Sequence, residues 1–197
     1  LISKAAAETV KKVALELGGK SANIITDDAD LAAAVKHGVM SMMTNTGQSC
    51  NAPSRMLVPA AKLAEAEALA AATVAKIKVG DPENAETTMG PLANEAQFRR
   101  VQKMIQRGID EGAKVVAGGV GKPAGLEAGY FAQPTIFSNV NNQMDIARQE
   151  IFGPVLCMIP YNGIDEAVRI ANDTPYGLSG YVYAATPEAA GVIAAKL

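Results

Sequence analysis

Histidine and cysteine are nearly absent from this chain: 197 residues contain one histidine, His37, and two cysteines, Cys50 and Cys157. Two thiols make no disulfide framework, and with a lone histidine they assemble no metal-ligand cluster, so no metal is expected. A serine triad would have to run through His37, which lies inside a helical pattern and reads as structural. A dominant charge is missing too. Eighteen Lys and Arg stand against 20 Asp and Glu, a formal net charge of −2, which gives nucleic acid or an anionic membrane no field to follow. Arg99, Arg100, Lys103 and Arg107 read as the solvated face of one helix. No apolar run approaches the about 20 residues that cross a bilayer, and Leu1 to Leu15 does not read as a signal peptide. No Gly-x-Gly-x-x-Gly follows a strand, so these residues lack the phosphate-cradling half of a dinucleotide site. A reducing compartment is expected, with cytoplasm the default.

What is present is an ordinary globule, 49% hydrophobic and 19% charged, of a length that suits one domain. Apolar residues three and four apart predict an amphipathic helix over Leu1 to Leu15, broken by Gly18-Gly19. A short strand over Ala22 to Thr26 follows, then a helix from about Asp30 to Met43 with an aspartate N-cap. Arg55 to Val58 reads as a strand, and an Ala-rich helix runs from Pro59 to Gly80. Asn94 caps another helix that Gly112 stops, and Lys114 to Ala117 is a short strand. Phe131 to Phe137 reads as a strand that Pro134 places at an edge or bends. Val155 to Tyr161, with an inert Cys157, and Ser179 to Tyr183 are strands around a helix over Asp165 to Asn172; a last helix starts at Pro187. This alternation predicts an α/β fold, a mainly parallel sheet flanked by helices. Both ends fall inside helical patterns without caps, as expected of a piece of something longer.

Three stretches carry chemistry. Thr44 to Pro53 is a polar turn between a helix and a strand, and Cys50 sits in it. An arbitrary cysteine is more often a small apolar filler, but a thiol at an element end can act as a nucleophile. Glu16, beside Gly18-Gly19, is a solvated carboxylate or a general base; side chains at the carboxyl ends of parallel strands converge on one crevice, where it could serve Cys50. Glu150-Ile151-Phe152-Gly153-Pro154 is a rigid turn, with a carboxylate able to hold a ribose diol and a ring able to pack on a flat heterocycle; a core Phe152 is the plainer reading. Asn172 to Leu178 reads as a structural turn without chemistry.

Together these stretches resemble the aldehyde dehydrogenase superfamily over essentially the whole chain. Glu16-Leu17-Gly18-Gly19-Lys20 is similar to its glutamate signature, Gly47-Gln48-Ser49-Cys50 to its cysteine signature, and Glu150 to Pro154 to its cofactor motif. Met89 to Leu92 and Tyr176-Gly177-Leu178 match its structural turns, and all occur in family order. The resemblance implies oxidation of an aldehyde to a carboxylic acid with NAD or NADP, with Cys50 as nucleophile and Glu16 as general base. It implies that the Cys50 N–H is one oxyanion donor, the second lying before residue 1. Leu17, Glu150 and Phe152 would contact the cofactor. Residues 1–15 would be the terminal helix of an otherwise absent cofactor-binding domain, and residues 16–197 a C-terminally truncated catalytic domain. The full-length protein would be a homo-oligomer, and the 197-residue chain weakly active or inactive. Gln149 departs from the Glu of many relatives, with little consequence expected. Met40, Met42 and Met43 would line part of a substrate tunnel. A coenzyme-A-acylating relative is an alternative, though such enzymes lack the general-base glutamate. A non-catalytic scaffold has no need of Cys50, Glu16 and Glu150 together, and a cysteine hydrolase would need a better-placed base than His37.

Overall fold

The computed structural model describes all 197 residues. Its centre is a six-stranded sheet. The strands are β1 (Ala22–Ile25), β2 (Arg55–Pro59), β3 (Lys114–Ala117), β4 (Thr135–Ser138), β5 (Val155–Tyr161) and β6 (Gly180–Tyr183), in the order β3-β4-β5-β2-β1-β6. Only β3 runs antiparallel, against β4. The helices are α1 (Ile2–Ala7), α2 (Leu31–Met43), α3 (Leu63–Val74), α4 (Glu95–Asp110), α5 (Asp145–Arg148), α6 (Ile164–Asn172) and α7 (Pro187–Ala194). The expected α/β class is the fold observed.

Strand periodicity explains the layering. Successive side chains leave opposite faces of a strand, so a sheet covered on both sides needs apolar residues at every position. Ala22 and Ile24, Leu57, and Val155, Cys157 and Ile159 pack with α4, α5 and α6 on one face. Ile25, Met56 and Val58, and Leu156 and Met158 pack with α2 and α3 on the other. Cys157 is fully buried and burial pushes its thiol pKa up, which fits the inert packing role.

Three expectations change. The helix predicted over Leu1 to Leu15 is confined to Ile2–Ala7, because no residue of it is buried and a short helix without packing is marginal. The helix predicted to reach Gly80 stops at Val74, and the backbone beyond it pairs instead, Lys78 with Met89 and Gly80 with Met89. Pro134 neither bends a strand nor marks an edge: β4 starts at Thr135 and lies inside the sheet, so the missing N–H falls outside the ladder.

The helix that leads into the Cys50 turn starts as predicted. The Asp30 side chain accepts from the Ala33 N–H at 3.0 Å, and Leu31, Ala34, Val35, Val39 and Met42 form the buried stripe. Replacing Asp30 with alanine is expected to lower stability by about 1 kcal/mol, read as a lower urea midpoint with an unchanged m-value.

Candidate active site

Helix α2 ends in a strained turn. Asn45, Thr46 and Gly47 all have positive φ, at 51°, 58° and 68°. For a β-branched residue such as Thr46 this is a true outlier, and such residues cost on the order of 1–3 kcal/mol each. Long-range partners hold it: Thr46 Oγ1 donates to the Gly90 carbonyl at 3.0 Å, and the Ala93 N–H donates to Gln48 Oε1 at 2.9 Å. The Asn45 amide closes the turn on the Gln48 carbonyl at 2.9 Å. Gly47 is required twice, by its φ and because a Cβ there would overlap the Gly153 carbonyl. Cys50 follows, half-buried, and its N–H has no acceptor within the chain.

Gly18 and Gly19 join this turn to the Glu150 turn. A Cβ on Gly19 would overlap the Cys50 carbonyl oxygen, and one on Gly18 would lie 2.9 Å from the Glu150 Cδ. The Gly19 N–H donates to Glu150 Oε1 at 2.9 Å, while Oε2 has no hydrogen-bond partner. Phe152 sits at φ 56° with its side chain partly exposed. Glu16 and Leu17 immediately precede the glycines, both exposed, and no side-chain hydrogen bond ties either to the site. The structure thus brings Cys50, Glu150 and the glycine pair together, with Glu16, Leu17 and Phe152 at the margin.

The direction of approach differs from the expectation. Gly19 precedes β1, Cys50 precedes β2, Glu150 precedes β5 and Leu178 precedes β6. These strands are parallel and in register, Ala22 beside Arg55 and Gly180, Arg55 beside Cys157. The motifs therefore converge at the amino ends of the strands, not the carboxyl ends. Met43 is a core residue at 2% exposure; Met42, equally buried, lines a small cavity with Gly47, Ser49 and Phe152, and Met40 is exposed.

Several supporting residues escape a sequence reading. Gln97 Nε2 donates to the Ile151 carbonyl at 2.9 Å and the Phe152 carbonyl at 2.6 Å, and Arg100 donates to the Glu150 carbonyl at 2.7 Å. Arg100 is thus a brace and not only part of a solvated face. The Tyr176 hydroxyl accepts weakly from the Glu150 N–H at 3.4 Å, so the Asn172–Leu178 turn borders the site. Arg55, almost wholly buried, donates to the carbonyls of Lys20, Ile170 and Ala171 and to Asn142 Oδ1, all within 2.9 Å. Burial pushes its pKa down to about 10. Lys20 is sealed beside it, its Nζ unpartnered, and burial likewise lowers its pKa. Helical spacing marks Gln97 and Arg100 as surface residues, and nothing local announces a target in a turn some 50 residues on.

The aldehyde dehydrogenase family model matches residues 1–197. The chain belongs to the aldehyde dehydrogenase family. It is 64% identical over 197 residues to a 3-succinoylsemialdehyde-pyridine dehydrogenase of Pseudomonas sp., covering 100% of this chain and 41% of that protein. It superposes with a TM-score of 0.96 and 57% identity on a mutant aldehyde dehydrogenase C from Pseudomonas syringae, solved with NAD+ and octanal, covering 99% of this chain and 40% of that one. A Mycobacterium tuberculosis aldehyde dehydrogenase solved with NAD+ gives a TM-score of 0.95 at 44% identity, covering 100% and 40%. This chain thus spans about two fifths of the length of such relatives.

In this aldehyde dehydrogenase chain the glycine pair is the tightest constraint. Replacing Gly19 with alanine is expected to cost at least about 2 kcal/mol, because a backbone carbonyl must move to admit the methyl group. Chemical unfolding checks this.

Proposed function

We propose that Cys50 and Glu16 perform NAD(P)-dependent oxidation of an aldehyde to a carboxylic acid in a protein of the relatives' length, of which this chain matches about two fifths. The observation that carries the reading is the glycine junction, which holds the Cys50 backbone and the Glu150 carboxylate against one dipeptide.

The Cys50 thiol gives up its proton to solvent, and the sulfur adds to the aldehyde carbon. The new oxyanion accepts from the Cys50 N–H, a donor with no competing acceptor in the chain. A bound nicotinamide cofactor supplies the hydride acceptor, and what remains on Cys50 is a thioester. Glu16 then deprotonates the water that attacks the thioester carbonyl, the acid leaves, and Cys50 is restored. The residues present fit such a cofactor: Glu150 Oε2 is free to accept from a ribose hydroxyl, and Phe152 offers a partly exposed ring. Leu17 would meet the cofactor through its backbone. The NAD+ in the solved relatives supports the same choice, NADP being the alternative. A small aldehyde is the substrate; the pyridine semialdehyde named for one relative and the octanal bound to another mark the breadth of that class.

We further propose that residues 1–15 belong with a cofactor-binding domain and residues 16–197 with the catalytic domain. Leu1, Ile2, Val10 and Leu15 are exposed, which fits packing against polypeptide outside this chain. On that view the 197-residue chain alone turns over weakly or not at all, and the complete protein is a cytoplasmic homo-oligomer.

NADH formation with an aldehyde panel, in a chain extended to the relatives' length, tests the assignment. Cys50→Ala should abolish turnover, and Glu16→Gln should give a hydride burst followed by a rate about 10²–10⁴-fold lower. Wild-type turnover that requires coenzyme A would transfer the reading to acyl transfer; no cofactor reduction with any aldehyde would leave a scaffold.

A further inference from the structure

The nucleophile turn is clamped on two sides, and only one clamp belongs to a signature stretch. The Cys50 carbonyl rests against Gly19. The next carbonyl, that of Asn51, accepts the Tyr181 hydroxyl at 2.8 Å and the Ser179 hydroxyl at the longer 3.4 Å. Ser179 also pairs with Ser21 through their hydroxyls at 2.9 Å. Tyr181 lies on β6 opposite Asn23 of β1, so both clamps are fixed in neighbouring strands of one sheet. The Tyr181 hydroxyl makes this single hydrogen bond, as donor.

We infer that Tyr181 is a positioning residue for Cys50, setting through the Asn51 carbonyl how far the thiol and its N–H stand open. Asn51 itself is exposed, so without this donor its carbonyl turns to water, and the Asn51–Ala52 peptide is left with the Ala52 N–H bond to the Ser49 carbonyl and the long Ser179 contact. Ser179, at 3.4 Å and shared with Ser21, is the weaker anchor. The catalytic consequence rests on Cys50 being the nucleophile; the anchoring can be measured on the thiol alone.

The two cysteines make that measurement internally controlled. Cys50 is half-buried, whereas Cys157 is fully buried in the core and reports any general loosening. Iodoacetamide alkylation of the 197-residue chain, followed for each thiol by mass spectrometry, compares wild type with Tyr181→Phe and Ser179→Ala. Tyr181→Phe keeps the ring and removes only the oxygen. It should raise the Cys50 rate about fivefold, the opening factor of one neutral hydrogen bond. Cys157 should stay protected. Ser179→Ala should move Cys50 in the same direction by less. An unchanged Cys50 rate in Tyr181→Phe, or an equal rise at Cys157, overturns the proposal. Should Tyr181→Phe fold poorly, a Ser179→Ala chain with no change at Cys50 overturns it equally. Retained turnover in Cys50→Ala would defeat the dehydrogenase reading and leave this comparison of rates standing.

Discussion

Two backbones cannot approach within van der Waals contact where a Cβ intervenes, and the site is built on that exclusion. Gly18 and Gly19 lie where the Glu150 carboxylate and the Cys50 carbonyl need the space of a methyl group. Gly47 repeats the device against Gly153, so the nucleophile turn and the Glu150 turn touch on both flanks. Segments far apart in sequence meet there, and the Glu150 carboxylate itself sits in the junction on the Gly19 N–H. The glycines add no chemistry of their own. They set the spacing at which the chemistry of others is possible.

Sheet register carries this junction into the rest of the molecule. Ala22, Arg55, Cys157 and Gly180 stand side by side across four parallel strands, so the loops preceding those strands are level with one another. Arg55 locks the level by giving its guanidinium to carbonyls of the Lys20 segment and the end of α6. A buried guanidinium is costly unless its donors are met, and here they are met by backbone. Apolar packing alone would tolerate small slips between these segments; a fork of directed bonds does not.

Much of this was legible beforehand. The apolar strands, the Asp30 and Asn94 caps and the Gly112 stop are local signals, and local physics reads them correctly. The three signature stretches named Cys50, Glu16 and Glu150 as candidates because residue types and order are themselves local. What failed was whatever depended on long-range partners. Leu1 to Leu15 has helical periodicity but nothing to bury it, so most of it is not helical. Met43 looked like tunnel lining, but it belongs to the core with Met56, Leu156 and Met158. Gln97, Arg100 and Tyr181 act on carbonyls 50 or more residues away, and no pattern in their own neighbourhood points there. The edge of the sheet that hosts the site was misjudged for a related reason: alternation of elements implies a parallel sheet without saying at which end its loops gather.

The left-handed turn before Cys50 also bears on the order in which the site assembles. Its strained residues are held by Gly90 and Ala93, 44 and 45 residues further along the chain. Until that segment docks, Thr46 gains nothing from a conformation its β-branched side chain disfavours, and the loop closure that brings the segment in carries its own entropy cost. A chain emerging from synthesis therefore carries the residues of the Cys50 turn before it can hold that turn in shape. The thiol acquires its defined setting only after the segment near Gly90 has been made and packed.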